Sequence, residues 1–264
     1  VALRRIDAEL VARGLAPSRE SARQLVLSGA VEVGGITVSK ASRQVRPEDS
    51  VVVRVKDADK WVSRGAHKLI GALNHFTDLS VDGKTCLDAG ASTGGFTQVL
   101  LNRGARSVYA VDVGYGQLAW RLQSDERVDA RDRINVRNLT EADFDPLPDL
   151  VVSDLSFISL RTVLPALKRV AAPAADLVLM VKPQFEVGKS KLGKNGVVRD
   201  PQLRADAVRS VAAEAMRLGL GSKGVVASPL PGPSGNVEYF LWLHANCGPV
   251  SEDEIAQAID EGPQ

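Results

Sequence analysis

The residues whose types and spacing could do chemistry gather first around Leu87-Asp88-Ala89-Gly90-Ala91-Ser92-Thr93-Gly94-Gly95-Phe96-Thr97. An apolar lead-in ends at an acid, small residues follow, and Gln98-Val99-Leu100-Leu101 continues as a helical run. That order predicts a strand, a tight turn and a helix N-terminus, where free N–H groups and the helix dipole meet a ligand. Gly90, Gly94 and Gly95 let the backbone approach it closely. About twenty residues on, Val108-Tyr109-Ala110-Val111-Asp112 reads as a strand ending in a carboxylate, the usual place to hold a ribose diol. The loop lacks the spaced Gly-x-Gly-x-x-Gly of dinucleotide enzymes, so S-adenosylmethionine (SAM) is the expected ligand. A structural glycine turn in another kind of α/β protein is the alternative. The expected ligand contacts are Asp88, Gly90, Ala91, Ser92, Thr93, Gly94, Gly95, Phe96, Asp112 and Asp154, with Asp132 or Arg133 on the adenine side.

Four charged residues stand in or beside apolar runs, where an unpaired charge is costly. Asp154 follows Val151-Val152-Ser153, Lys182 ends Leu177-Val178-Leu179-Met180-Val181, and Glu238 interrupts Val237-Glu238-Tyr239-Phe240. Lys68 lies in Ala66-His67-Lys68-Leu69. Each could be an ordinary salt bridge. Their joint placement around one ligand crevice favours a site of two lysines and two carboxylates.

The elements that must position these residues alternate. Strands are expected near 84–89, 107–112, 127–131, 148–153 and 175–181, and helices near 94–103, 117–123, 157–171 and 200–218, with an earlier helix running to about His75. Strands at 222–228 and 236–244 have only a short loop between them and so form an antiparallel hairpin. The result is an α/β, Rossmann-like, mostly parallel seven-stranded sheet that binds ligands at the carboxyl ends of its strands. Ahead of it, residues 6–15 and a run capped by Ser18 predict two short helices. Val31-Glu32-Val33, Gly34-Gly35 and Ile36-Thr37-Val38 predict a hairpin, and Val51 to Val55 a further strand. Asp57-Ala58-Asp59-Lys60 is a short polar linker. The basic segment 183–199 suits a lid, an RNA contact or a plain mobile loop.

A chain of 264 residues has room for a large and a small domain. Net charge is +1, yet residues 1–46 carry eight Arg and Lys against four acids, an excess of +4 that leaves −3 for the remainder. The asymmetry points to an anionic partner for the N-terminal part, or to a merely solvated basic face. Cys86 and Cys247 lie in apolar runs without metal-ligand spacing, so buried thiols in a reducing cytoplasm, and no metal, are expected. No apolar run reaches membrane-span length, and the arginine-bearing opening predicts no secretory leader.

Arg5-Ile6-Asp7, Gly14-Leu15-Ala16, Ser18-Arg19-Glu20-Ser21-Ala22, Gly29-Ala30-Val31-Glu32-Val33 and Lys40 resemble the S4-type RNA-binding domain, whose second helix and hairpin embrace structured RNA. Gly34 departs from the Asn usual before the turn glycine. The resemblance makes Arg4, Arg5, Arg19, Arg23, Lys40 and, further on, Arg64 the RNA-contact candidates. The glycine loop with Lys68, Asp154, Lys182 and Glu238 resembles the FtsJ-like 2′-O-methyltransferases and their Lys-Asp-Lys-Glu tetrad. Ser63-Arg64-Gly65-Ala66-His67-Lys68-Leu69, Asp112-Val113-Gly114-Tyr115-Gly116-Gln117-Leu118, Asp154-Leu155-Ser156-Phe157-Ile158-Ser159, Lys182-Pro183-Gln184-Phe185-Glu186 and Pro231 to Glu238 extend the match. From end to end the chain is similar to the TlyA-type family, known both as hemolysins and as rRNA 2′-O-methyltransferases. Asp59 stands where a basic residue can occur in that family's linker.

The resemblance implies an S4-type domain over 1–58, a linker over 59–62 and an FtsJ-like SAM-dependent methyltransferase domain over 63–264. It further implies methyl transfer to cytidine 2′-hydroxyls in 16S and 23S rRNA within ribosomal subunits, with no membrane or obligate protein partner. In that chemistry Lys182 is the base, its charged form disfavoured by Lys68 and by burial, while Asp154 and Glu238 orient the lysines. Two readings compete: a methyltransferase for a non-RNA substrate, and a pore-forming hemolysin, which needs a membrane-inserting segment that the sequence does not display.

Overall fold

Apolar residues three and four apart set the N-terminal unit. The computed structural model describes residues 3–16, 18–53, 61–232 and 234–263 and divides the chain into two units, Val1–Trp61 and Val62–Gln264. In the first, β1 (Arg4–Arg5), α1 (Ile6–Ala12) and α2 (Arg19–Leu27) lead into β2 (Val31–Val33), β3 (Ile36–Thr37), β4 (Gln44–Val45) and β5 (Val51–Val53). Ile6 and Leu10 of α1 meet Ala22 and Val26 of α2 over Val31, Val33, Val38 and Val45 in one core. Ser18 caps α2 by accepting from Ser21 N at 3.2 Å. Gly34 and Gly35, at φ +58° and +80°, make the two-residue turn between β2 and β3 that the hairpin's twist demands. The antiparallel pairing of β1 with β4 has no counterpart in the expected elements, since two-residue strands carry no periodicity. The end of the strand expected over 51–55, at Arg54 and Val55, and the linker Asp57-Ala58-Asp59-Lys60 lie outside the described residues.

In the second unit, α3 (Gly65–His75) precedes β6 (Thr85–Ala89), α4 (Gly95–Asn102), β7 (Ser107–Val111), α5 (Trp120–Gln123) and β8 (Val128–Arg131). There follow β9 (Leu150–Ser153), α6 (Leu160–Val170), β10 (Asp176–Val181), α7 (Pro183–Glu186), α8 (Pro201–Arg217), β11 (Leu220–Ala227), β12 (Tyr239–Ala245) and α9 (Glu252–Asp260). The seven strands lie in the order β11-β12-β10-β9-β6-β7-β8. Five pair in parallel and β11 runs in their direction; β12 alone is reversed, antiparallel to both β10 and β11. The connection from β11 to β12 spans 228–238 and is longer than expected. Glu238 therefore precedes its strand and does not interrupt it. α9 was not among the expected helices, although a capping box of Ser251 and Glu254 starts it.

Register gathers the site. Ala89 stands opposite Val111 and Ser153, Val111 opposite Arg131, and Val181 opposite Tyr239. One edge of the sheet thus collects Gly90, Asp112, Asp132, Asp154, Lys182 and Glu238.

At the opposite edge Asp176 opens β10 and joins three elements. Lys84 Nζ lies at 2.7 Å, Trp242 Nε1 donates at 2.9 Å, and Lys223 Nζ lies at 3.7 Å. Burial pushes this carboxyl upward, but the bonds from Lys84 and Trp242 and the lysine charges outweigh it and hold Asp176 below the usual carboxylate range. Asp176→Ala should cost about 1–3 kcal/mol, because it leaves the buried indole N–H unpaired. The native carboxyl is more acidic than the unfolded one, so part of its contribution is complete above the unfolded-state value and fades as pH falls through the native one. Denaturant unfolding at neutral and acid pH should show the two proteins converging in acid; a gap constant with pH contradicts this account.

Candidate active site

Neighbouring strand ends bring the four charges together as two pairs. Lys182 follows β10 and Asp154 follows β9, and Lys182 Nζ lies 2.5 Å from Asp154 Oδ1, an ion contact outside hydrogen-bond alignment. Lys182 Nζ also donates to Ser156 Oγ at 2.9 Å. Glu238 enters at the same edge because β12 is antiparallel to β10. Its Oε2 receives Lys68 Nζ at 2.5 Å and its Oε1 accepts from Gln184 Nε2 at 3.3 Å. Lys68 is delivered by α3, whose Ala66, Leu69, Ala72 and Leu73 are buried. Glu238 is fully buried and both lysines nearly so. At that depth each lysine needs its carboxylate, since removing one partner strands a charge.

Two hollows of about 420 Å³ each meet at this edge. The first is lined by Ser63, Arg64, Lys68, Thr93, Phe96 and Lys182, and also by Ala91 and Gly95. The second is walled by Asp112, Ile134, Val136, Leu155, Ile158 and Val163. Gly90, Ser92, Asp154 and Ser156 border both. Gly90, at φ +91°, is required: a Cβ there would stand 3.1 Å from Asp154 O. Asp112 accepts from Ser92 N at 2.8 Å and Gly114 N at 2.6 Å, so it fixes the glycine loop while facing the second hollow.

Four of the expected ligand contacts are placed otherwise. Gly94 lines neither hollow; a Cβ on it would come within 2.3 Å of Leu122, so this glycine serves helix packing. Asp88 is fully buried behind the loop and accepts from Thr97 Oγ1 at 2.7 Å. Asp132 accepts from Gly116 N at 2.8 Å, and the Arg133 guanidinium stacks 4.1 Å from the centre of the Tyr115 ring. The chain reverses at Arg133, φ +60°, and Ile134 N returns to Asp112 O at 2.9 Å. Residues 134–136 therefore form the wall expected from 132 and 133.

In the N-terminal unit Arg5, Arg19, Arg23 and Lys40 line one open concavity of about 600 Å³. Asp7, buried at its base, takes Arg5 at 2.8 Å and Arg19 at 3.3 Å. Arg4 pairs with Glu9 at 3.1 Å and lies outside that lining.

The FtsJ-like methyltransferase family matches residues 61–245 and the S4 domain residues 4–51. The 16S/23S rRNA (cytidine-2′-O)-methyltransferase TlyA of Mycobacterium tuberculosis is 55% identical over 264 residues, 98% of each chain. The chain belongs to the TlyA family. Hemolysin A of Brachyspira hyodysenteriae is 36% identical, over 89% of this chain and 98% of its own. A solved structure from Streptococcus thermophilus, assigned as a hemolysin, is 36% identical and superposes with a TM-score of 0.72 over 98% of this chain and 96% of its own. The TlyA family thus carries both names. Among the described residues no helix is long and apolar enough to cross a membrane.

Three side chains at this candidate site of a TlyA-family chain were not among the expected site residues. Ser156 and Gln184 complete the polar shells of Lys182 and Glu238. Phe157 is 92% exposed, at φ +63°, with its ring 5.4 Å from that of Phe185. In Leu155-Ser156-Phe157-Ile158 it reads as one more core residue, and only the backbone turn sends it outward.

Burial is the main cause that pushes the Asp88 carboxyl up from 3.8 to about 7; the Thr97 bonds oppose the shift, while Asp154 and Asp112 add to it. The native state therefore keeps a proton that the unfolded chain has lost, and this group makes stability fall as pH rises from about 4 to about 7. Asp88→Asn stays neutral and should lack that fall, gaining on the parent by up to about 1.4 kcal/mol per pH unit in that window. Urea unfolding at pH 5 and pH 8 measures it. An equal difference at both values contradicts a carboxyl titrating there.

Proposed function

We propose that the chain is a SAM-dependent rRNA 2′-O-methyltransferase acting on cytidines of 16S and 23S rRNA within ribosomal subunits, and hence in the cytoplasm. The observation that carries this reading is the meeting of two hollows at Asp154, with Lys182 lining the first of them and held against that shared carboxylate. SAM fits the second hollow: Asp112 offers a carboxylate where a ribose diol is held, and Ile134, Val136, Leu155, Ile158 and Val163 give an apolar wall for adenine. Gly90, Ser92 and Asp154 complete the hold. When bound, SAM supplies an electrophilic methyl group on a positively charged sulfur.

The chain's own residues do the rest. To act as base, Lys182 must first release the proton it holds beside Asp154; Nζ then takes the proton of the 2′-hydroxyl, leaving the oxygen's electron pair for the new O–C bond. Asp154 and Ser156 hold that nitrogen in place. Lys68, fixed by Glu238, presents its ammonium to the first hollow, where ribose and phosphate oxygens are natural partners. Alignment of acceptor and methyl carries much of the acceleration, on the order of 7–11 kcal/mol in favourable cases. Phe157 offers an exposed ring on which an unpaired base can stack. Residues 1–58 form the RNA-docking domain through Arg4, Arg5, Arg19, Arg23 and Lys40, residues 59–62 link it, and residues 63–264, with Arg64 at the cleft, do the chemistry.

Lys182→Ala should lower single-turnover transfer to ribosomal subunits at saturating SAM by about 10²–10⁴-fold while calorimetry shows SAM affinity unchanged. A rate near that of the parent excludes Lys182 as the proton acceptor. Parallel incubation with protein substrates and erythrocytes tests the competing readings.

Docking is separable. Arg19→Ala and Arg23→Ala should weaken subunit binding and reduce the slope of log K against log salt by roughly one for each phosphate that is no longer neutralised. Unchanged affinity and slope would remove the concavity from the RNA interface.

A further inference from the structure

Four residues beyond Lys182 lies a carboxylate that the proposed chemistry does not touch. The Glu186 side chain is only 1% exposed. It gathers donors from three consecutive residues: Ser159 Oγ at 2.6 Å, Leu160 N at 2.6 Å and Arg161 Nε at 3.2 Å. Arg161 also donates from Nη2 to Glu186 O at 3.3 Å. Ser159 is the N-cap of α6 but makes no side-chain cap of its own, so the cap comes from α7. A carboxylate is the favourable charge at that helix end.

Both fastened segments begin at the site. α7 follows Lys182 directly. The segment that reaches α6 starts at Asp154, passes Ser156 and turns through Phe157 at φ +63°, a left-handed backbone state that a non-glycine residue rarely adopts. Such a turn persists only where its surroundings enforce it. Glu186 fastens its far end.

We infer that Glu186 is a positioning residue for Lys182. By locking the start of α6 to α7, it holds Ser156 where its hydroxyl accepts from Lys182 Nζ and keeps Asp154 at contact distance. The inference rests on the reading of Lys182 as proton acceptor.

A carboxylate that only capped α6 would alter stability and leave the rate of the folded enzyme alone. The test is single-turnover transfer to ribosomal subunits at saturating SAM, at a temperature where each full-length variant is folded by circular dichroism. Glu186→Ala should lose about 100-fold, the scale of a small misplacement at a reacting group. Glu186→Gln, which keeps an acceptor for Leu160 N and loses the Arg161 ion pair, should fall between it and the parent. Ser156→Ala combined with Glu186→Ala should lose hardly more than the worse single variant, since both act through Lys182. Val208→Ala, in the core of α8, supplies a stability control and should keep the parent's rate. A parental rate in Glu186→Ala, losses that multiply in the double variant, or an equal rate loss in Val208→Ala at the same melting shift overturns the inference. If Glu186→Ala does not fold, a parental rate in Glu186→Gln overturns it, and a loss coupled to Ser156→Ala supports it. Lys182→Ala run alongside separates the two readings: activity there sinks the proton-acceptor reading, whereas an inactive Lys182→Ala beside a fully active Glu186→Ala sinks only the role of Glu186.

Discussion

A charge at the end of a strand buried on both faces has to find its opposite within a few ångströms, and in the C-terminal unit this requirement reaches through the sheet. Lys182 meets Asp154 because β10 and β9 are parallel neighbours with Leu179 opposite Ser153. Glu238 can take Lys68 only if β12 turns back beside β10 and α3 covers its start. A one-residue slip would send these side chains to the other face and leave several charges without partners. The ion pairs of the candidate site therefore also select the register. Replacing either pair by apolar residues would remove that selection even where it cost little stability.

The glycine loop shows a comparable economy in packing. Gly90 keeps the ends of β6 and β9 together, Gly94 makes room for Leu118 and Leu122, and Gly95 admits Ser63 and the start of α3. Three neighbouring glycines thus answer to three different parts of the unit. The loop's shape is fixed largely by the chain around it, with Asp112 closing it from β7. A ligand meeting such a loop finds its N–H groups already placed, which lowers the ordering cost of binding.

Apolar runs of strand length separated by amphipathic helices made the alternating architecture legible, and the antiparallel final pair followed from the lack of room for a crossover helix. Motif residues at strand ends were legible for the same reason: the polypeptide must leave the apolar layer there. Side-chain direction after a reversal was not. Nothing in Asp132-Arg133-Ile134 announces the left-handed turn at Arg133 that exchanges an expected polar wall for an apolar one. Partner choice was equally hidden, since Lys68 and Glu238 are 170 residues apart and nothing local pairs them. α9 is a different kind of miss. Its capping box is written in Ser251 to Glu254, but a short amphipathic run of alanines and acids gives a weak apolar signal.

Over residues 1–46 four acids are interleaved with eight arginines and lysines, which halves the positive charge offered to an anion. Ion pairs with arginines this exposed add little stability. Their effect lies elsewhere. Arg5 and Arg19 reach Asp7, whose side chain is 7% exposed, while their own side chains remain 45% and 62% exposed. A buried anchor and an exposed cation hold each guanidinium in one region of space, so less rotamer freedom is lost when a phosphate arrives. Asp7 also repels a phosphate from the base of the concavity and leaves only its rim attractive. A surface with both signs in fixed positions accepts a backbone of matching shape and rejects one displaced by a few ångströms, whereas a uniformly basic patch would take either. If the concavity docks RNA as proposed, the acids that weaken the attraction are what allow it to discriminate.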